Sequence, residues 1–110
     1  MLRVEKFFDV EFKTAGQERF TTLFENRAVK VERIVSESYD GREDVWYDQS
    51  EPEWVIVLRG EAELELDDGT IVHLKTGDYL EIPAHTKHRV RRTSKQTFWL
   101  AVHVKETPRL

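Results

Sequence analysis

The spacing of apolar positions changes character near residue 27. From there on, short blocks rich in β-branched residues recur, cut at regular intervals by turn-forming residues. Ala28-Val29-Lys30-Val31-Glu32-Arg33-Ile34-Val35 predicts a strand over 27–38, ended by the turn Tyr39-Asp40-Gly41-Arg42. Further short strands are predicted at 44–49, 53–59, 61–67, 70–75, 79–83, 88–93 and 97–104. Ser50-Glu51-Pro52, Gly60, Asp67-Asp68-Gly69, Thr76-Gly77-Asp78, the stretch 84–87 and Ser94-Lys95-Gln96 punctuate them. Many short strands at such spacing predict an all-β antiparallel sandwich or barrel. Ahead of them, Phe7, Phe8, Val10 and Phe12 fit an extended arm that breaks at Ala15-Gly16. Phe20, Leu23 and Phe24 then recur at i, i+3 and i+4, which predicts a short amphipathic helix bounded by Gly16 and Asn26. The expected organisation is an arm and helix over 1–26, packed on one barrel over 27–110.

Alternation assigns faces. In Glu61-Ala62-Glu63-Leu64-Glu65-Leu66 the glutamates point one way and the apolar residues the other, as in a half-solvated antiparallel strand. Trp54-Val55-Ile56-Val57-Leu58 is apolar at both parities, so both faces must be covered. One face lines the interior; the other, with Trp54, Ile56 and Leu58, is expected to meet the N-terminal helix or another subunit, which predicts a homodimer.

Composition narrows the partners. At 110 residues the chain fits one domain. With 17 Lys+Arg against 21 Asp+Glu and a net charge of −4, it lacks the basicity of a dedicated nucleic-acid binder. It has no cysteine, so disulfides, thiol nucleophiles and thiolate metal sites are excluded. No apolar run approaches membrane-spanning length, and MLRVEKFFDVEF has no apolar signal core; a cytoplasmic protein with no membrane partner is expected.

The chemistry gathers around GDYLEIPAHTKH, residues 77–88. An apolar segment through Tyr79, Leu80 and Ile82 stops at Pro83, which cannot continue a central ladder, and two imidazoles follow at His85 and His88. A rigid turn that aims an imidazole suits a metal ligand or a proton-transfer group. Two polar turn residues would fit the same twelve positions.

Glu53 followed six residues later by Gly60, then Gly77, Pro83 five residues on and His88 five after that, resembles the paired motifs of small, single-domain cupins. The resemblance covers residues 47–92 in its motifs and about 27–104 in its strand pattern. It implies an antiparallel jelly-roll barrel, here with the short N-terminal helix added, holding one divalent metal (Zn, Fe, Ni or Mn) and a small-molecule ligand. Glu53 and His88 match the family's glutamate and second-motif histidine. The family's first two histidines are replaced by Tyr47 and Gln49, His85 stands where the pattern has glycine, and Arg92 where it has asparagine.

Tyr47 and Gln49 share a parity, so both are expected on the pocket face. Amide and phenol groups are poor ligands for a borderline metal, so further ligands are sought in His85, in His103 on the last strand, and weakly in Gln49. The candidate metal set is Gln49, Glu53, His85, His88 and His103, with Tyr47 and Glu53 as proton-moving groups. Tyr47, Gln49 and Arg92 are candidate ligand-binding groups. His73 reads as a surface residue. Arg89 and Arg91 share a face and are expected to offset Glu61, Glu63 and Glu65. Arg92 either points inward beside His88, where it would bind a carboxylate or phosphate, or lies solvated past the barrel mouth. Three functions remain open: a metal-dependent isomerase, epimerase or dioxygenase; a metal-free module binding a small anionic metabolite; and an interaction protein with a vestigial pocket.

Overall fold

The computed structural model describes residues 1–11, 15–41 and 44–105, and among these it is all-β. The strands are β1 (Gln17–Glu25), β2 (Val29–Glu37), β3 (Glu53–Arg59), β4 (Ala62–Leu66), β5 (Ile71–Leu74), β6 (Tyr79–Ile82), β7 (His88–Thr93) and β8 (Thr97–Val104). They form a five-stranded sheet in the order β1-β2-β8-β3-β6 and a three-stranded sheet in the order β5-β4-β7, with every pairing antiparallel. Phe12 of the expected arm, Arg42 of the expected turn and the end of the chain lie outside the described residues.

The expected N-terminal helix is absent. Gln17–Glu25 is instead the edge strand β1, paired with β2 from Gln17↔Glu37 to Glu25↔Lys30. The reason lies in a bulge: the register slips between Thr22 and Phe24, so Leu23 is an extra residue. Phe20 pairs with Ile34 on the inner face, whereas Phe24 pairs with Val31 on the outer one. The spacing of Phe20, Leu23 and Phe24 therefore reflects two faces of a bulged strand and not one face of a helix. Asn26 closes the β1–β2 hairpin, its side-chain oxygen accepting from the backbone N–H groups of Ala28 and Val29 at 2.8 and 2.9 Å. The expected arm thus ends before β1, and β1 belongs to the barrel. The arm itself lies on the outer face of the large sheet, where the rings of Phe7 and Phe8 pack on buried Phe98 and the Arg59 guanidinium sits 4.1 Å from the Phe8 ring centre.

The strand expected at 44–49 is reduced to a single bridge between Tyr47 and His88. Asp44 has a φ of 50°, which interrupts extended backbone at the start of that stretch. The strands expected at 53–59, 88–93 and 97–104 coincide with β3, β7 and β8. The core is formed where the sheets face each other, with Ile34, Val55, Val57, Trp99 and Ala101 of the large sheet against Ala62, Leu64 and Leu74 of the small one. Outside the large sheet, Trp54, Ile56 and Leu58 are half-buried; Trp54 packs on Tyr79 at 5.5 Å between ring centres. The register slips between Val57 and Arg59, which makes Leu58 a second bulge.

Gly60 ends β3 in a conformation only glycine adopts cheaply, with φ at 93°. A Cβ there would stand 2.7 Å from Ser94 Oγ and 2.8 Å from Thr97 Oγ1. These hydroxyls form a hydrogen-bonded pair at 2.7 Å that ties the β3–β4 turn to β8. Gly69 has a similar φ of 89° but open space around it. Gly60→Ala is expected to lower stability by about 2–3 kcal/mol and Gly69→Ala by about 1 kcal/mol, read as the difference in urea midpoints.

Candidate functional site

Three neighbouring strands bring charged side chains together on the inner face of the large sheet. In antiparallel register His103 of β8 stands opposite Lys30 of β2 on one side and Glu53 of β3 on the other. Directly paired residues share a face, and Glu32, two positions beyond Lys30, shares it too. His103 Nε2 lies 3.2 Å from Glu32 Oε1 and 3.7 Å from Glu53 Oε2, and Lys30 Nζ is 3.6 Å from Glu32 Oε2. One imidazole is therefore shared by two buried carboxylates, Glu32 at 8% and Glu53 at 7% exposure.

His88 of β7 faces this row from the small sheet and is also buried. Its Nδ1 is 2.7 Å from the carbonyl oxygen of Thr86. A carbonyl can only accept, so Nδ1 carries the proton, and in the neutral ring Nε2 is an acceptor. The Tyr47 and His88 rings stack at 5.7 Å, and their backbones exchange both N–H···O bonds, at 2.7 and 3.0 Å. That bridge holds the 44–52 connection against β7. Between the two walls is a cavity of about 480 Å³. Core residues such as Ile34, Val55, Leu64 and Trp99 form its apolar part, with Phe20 of β1 at the side, and the charged row, Tyr47, Gln49 and His88 form its polar part.

The cluster is electrostatically divided. Burial pushes the Glu53 carboxyl above the ordinary glutamate range, a tendency only partly offset by His103 and His88 and reinforced by Glu32. Glu32 moves the opposite way, because its hydrogen bond to His103 favours the carboxylate over the cost of burial. The same bond raises His103, and both glutamates add to the effect through their charge. Two carboxyls that share one imidazole thus differ in the ease with which they hold a proton.

Of the residues singled out in the sequence, Tyr47, Gln49, Glu53, His88 and His103 line this one cavity. His85 does not. It lies on the exposed turn before β7, with Nδ1 3.3 Å from Asp48 Oδ1, and has a φ of 60°, which accounts for the glycine in the resembled pattern at this place. Arg92 is on the outer face of the small sheet, its guanidinium 3.2 Å from Glu63. The register between β4 and β7 slips at Arg91, so Arg92 pairs with Glu63 and Val90 with Leu64. The bulge reverses the parity that would have aimed Arg92 inward. Arg89 meets Glu65, and Arg91 meets Glu63, as the alternation predicted; His73 is exposed and 3.2 Å from Glu63. Glu63 is not solvated, however, but nearly buried beneath these cations.

Glu32 and Lys30 were not singled out in the sequence. The signal that could have found them is the alternation Lys30, Glu32, Ile34, in which two charges share the parity of a core isoleucine.

The side chains as placed do not fit a metal centre. His103 Nε2 is engaged by Glu32, and His85 points away from the cavity. Among the described residues no group of three or more His, Asp or Glu side chains converges to hold an ion.

An antiparallel barrel of two sheets with a polar cluster in its interior has the architecture of the cupin class. Residues 40–103 match the cupin domain family. A Ralstonia eutropha JMP134 protein, provisionally described as a mannose-6-phosphate isomerase, is similar at 34% identity and a TM-score of 0.84 over 96% of this chain and 100% of that one. A cupin superfamily protein from Desulfitobacterium hafniense DCB-2 is 17% identical with a TM-score of 0.71, covering 87% of this chain and 84% of its own. An RmlC-like cupin from Shewanella frigidimarina NCIMB 400 is 18% identical with a TM-score of 0.70, covering 86% and 81%. These last two show the fold alone. No match was found among curated proteins. The chain belongs to the cupin family, whose members commonly bind small ligands and often divalent metals. No helix among the described residues is long and apolar enough to cross a membrane.

The raised His103 sets a pH signature. Its pairing stabilises the fold fully below the ordinary histidine range, about pH 6.5, and the contribution fades as pH rises through the raised folded-state value. His103→Asn is expected to cost about 3 kcal/mol at pH 6, because it removes the imidazolium from Glu53 and leaves Glu32 with Lys30 alone, and clearly less at pH 9. Urea unfolding of both proteins across this range checks the sign.

Proposed function

We propose that this cupin binds a small carbonyl compound bearing a neighbouring hydroxyl and moves a proton within it, as an isomerase or epimerase. The observation that carries the reading is one imidazole held between two carboxyls whose environments push their proton affinities apart, inside an apolar cavity. Glu53, shifted towards neutrality, is the better placed general base. It takes the proton from the carbon beside the carbonyl, and the C–H electron pair forms a C=C bond while the carbonyl π pair moves to oxygen. The His103 imidazolium meets the developing negative charge. Return of the proton by Glu53 to the neighbouring carbon, with proton exchange between the oxygens, gives the isomer. Delivery to the original carbon from the opposite wall, by Tyr47, gives the epimer; Glu53 releases its proton to solvent, and solvent restores one to Tyr47. Gln49 and His88 orient the substrate. The provisional description of the Ralstonia eutropha relative as a sugar-phosphate isomerase is in keeping with this class of reaction.

No step uses a metal. Glu53→Gln is expected to lower turnover by at least 10³-fold, and solvent deuterium should enter the substrate carbon only with the native protein. Binding unchanged in Glu53→Gln, with no exchange in either protein, would favour a binding module instead. Elemental analysis is the companion measurement. About one Zn, Fe, Ni or Mn per chain, lost in His88→Ala, would replace this reading with a metal centre.

A homodimer and a cytoplasmic setting belong to the same proposal. The half-buried outer row of Trp54, Ile56 and Leu58 supports the dimer. Sedimentation at micromolar concentration is expected to give twice the chain mass, and Trp54→Glu to give the monomer.

A further inference from the structure

The polar groups of the cavity divide unevenly into donors and acceptors. Its charged donors are engaged within the protein, while the Gln49 amide and the Tyr47 hydroxyl also line it. Lys30 is held by Glu32, and Lys105 by Glu25 and by the backbone oxygen of Asn26. His103 Nε2 faces Glu32, and Trp99 Nε1 donates to Ser36 Oγ at 3.1 Å, while Ser36 in turn donates to Glu18 at 2.6 Å. The acceptors are not consumed to the same extent. His88 presents Nε2 because Nδ1 is committed to Thr86, and the nearest cation to Glu53 among the described residues is His103, at 3.7 Å. Glu51 adds a further carboxylate to the lining. Among the described residues no arginine lines the cavity; Arg92, which the sequence offered as an anion anchor, is bound to Glu63 on the far side of the small sheet.

A ligand entering such a site must bring hydrogen-bond donors, because buried acceptors left unpaired are costly. Phosphate and carboxylate groups bring acceptors and negative charge to a lining in which Glu18, Glu32, Glu51 and Glu53 outnumber Lys30, His103 and Lys105, cations already paired with glutamates. We infer that the cavity selects a donor-rich ligand without net negative charge, an unphosphorylated polyhydroxyl or amino compound, and discriminates against phosphorylated or carboxylated ones. This deepens the proposed function and rests on its reading of the cavity as a ligand site. It departs from the anionic metabolite that an inward Arg92 would have served, and it separates this chain's substrate class from the sugar phosphate in the relative's description.

The test is a matched set of ring compounds, cis-1,2-cyclohexanediol, cyclohexylamine, cyclohexanecarboxylate and cyclohexyl phosphate. Each is titrated into the full chain and followed at the Trp99 indole and His88 ring resonances. The diol or the amine is expected to bind at least ten-fold tighter than either anion. Glu53→Gln together with Glu51→Gln should narrow the amine's advantage several-fold, and circular dichroism checks that the variant stays folded. Anions that bind as tightly as the diol and amine, or an advantage untouched by the two substitutions, would overturn the inference while leaving the barrel a ligand site. If no compound moves the cavity resonances, the ligand-site reading fails and this inference fails with it.

Discussion

Sharing one imidazole between Glu32 and Glu53 is the constraint on which the interior of this barrel depends. Two carboxylates removed from water are expensive, and one imidazolium offsets only part of that cost. Lys30 supplies a second cation, but to Glu32, which leaves Glu53 the less well compensated of the two. The arrangement exists only because β8 lies between β2 and β3, so that His103 is in register with Lys30 on one side and Glu53 on the other. Sheet order, a property of the whole fold, thereby sets the proton affinity of a single side chain.

Bulges decide much of what faces where. An extra residue at Leu23 puts Phe20 beside the cavity and Phe24 outside. The slip at Leu58 keeps Arg59 on the outer face, over the rings of Phe8 and Phe98 beneath the N-terminal arm. A third slip, at Arg91, turns Arg92 onto Glu63 and so removes an arginine from the interior. Each resets the two-residue alternation for the rest of its strand. The charge character of the cavity therefore owes as much to one irregular residue in β7 as to the residues that line it.

What the amino-acid sequence determined by itself follows from local physics. Turn residues and β-branched runs marked β3, β7 and β8 at their observed bounds, and the spacing from Glu53 to His88 identified the family. Tyr47 and Gln49 share a parity and both line the cavity, although their stretch is held to β7 by a single bridge and not by a regular ladder. Only the tertiary structure decided the rest. The β1 segment carries helical spacing, yet it became a strand because its backbone pairs with β2 around a bulge at Leu23, while Phe20, Leu23 and Phe24 stay exposed. Glu32 entered the site through a neighbour 71 positions away, and no local pattern records which strands will lie side by side. His85 and Arg92 left the site for equally non-local reasons, a turn that aims the imidazole at Asp48 and a bulge that gives the guanidinium to Glu63. Periodicity assigns a side chain to a face, whereas the partner it meets depends on strand order and register, which are settled only when the whole barrel closes.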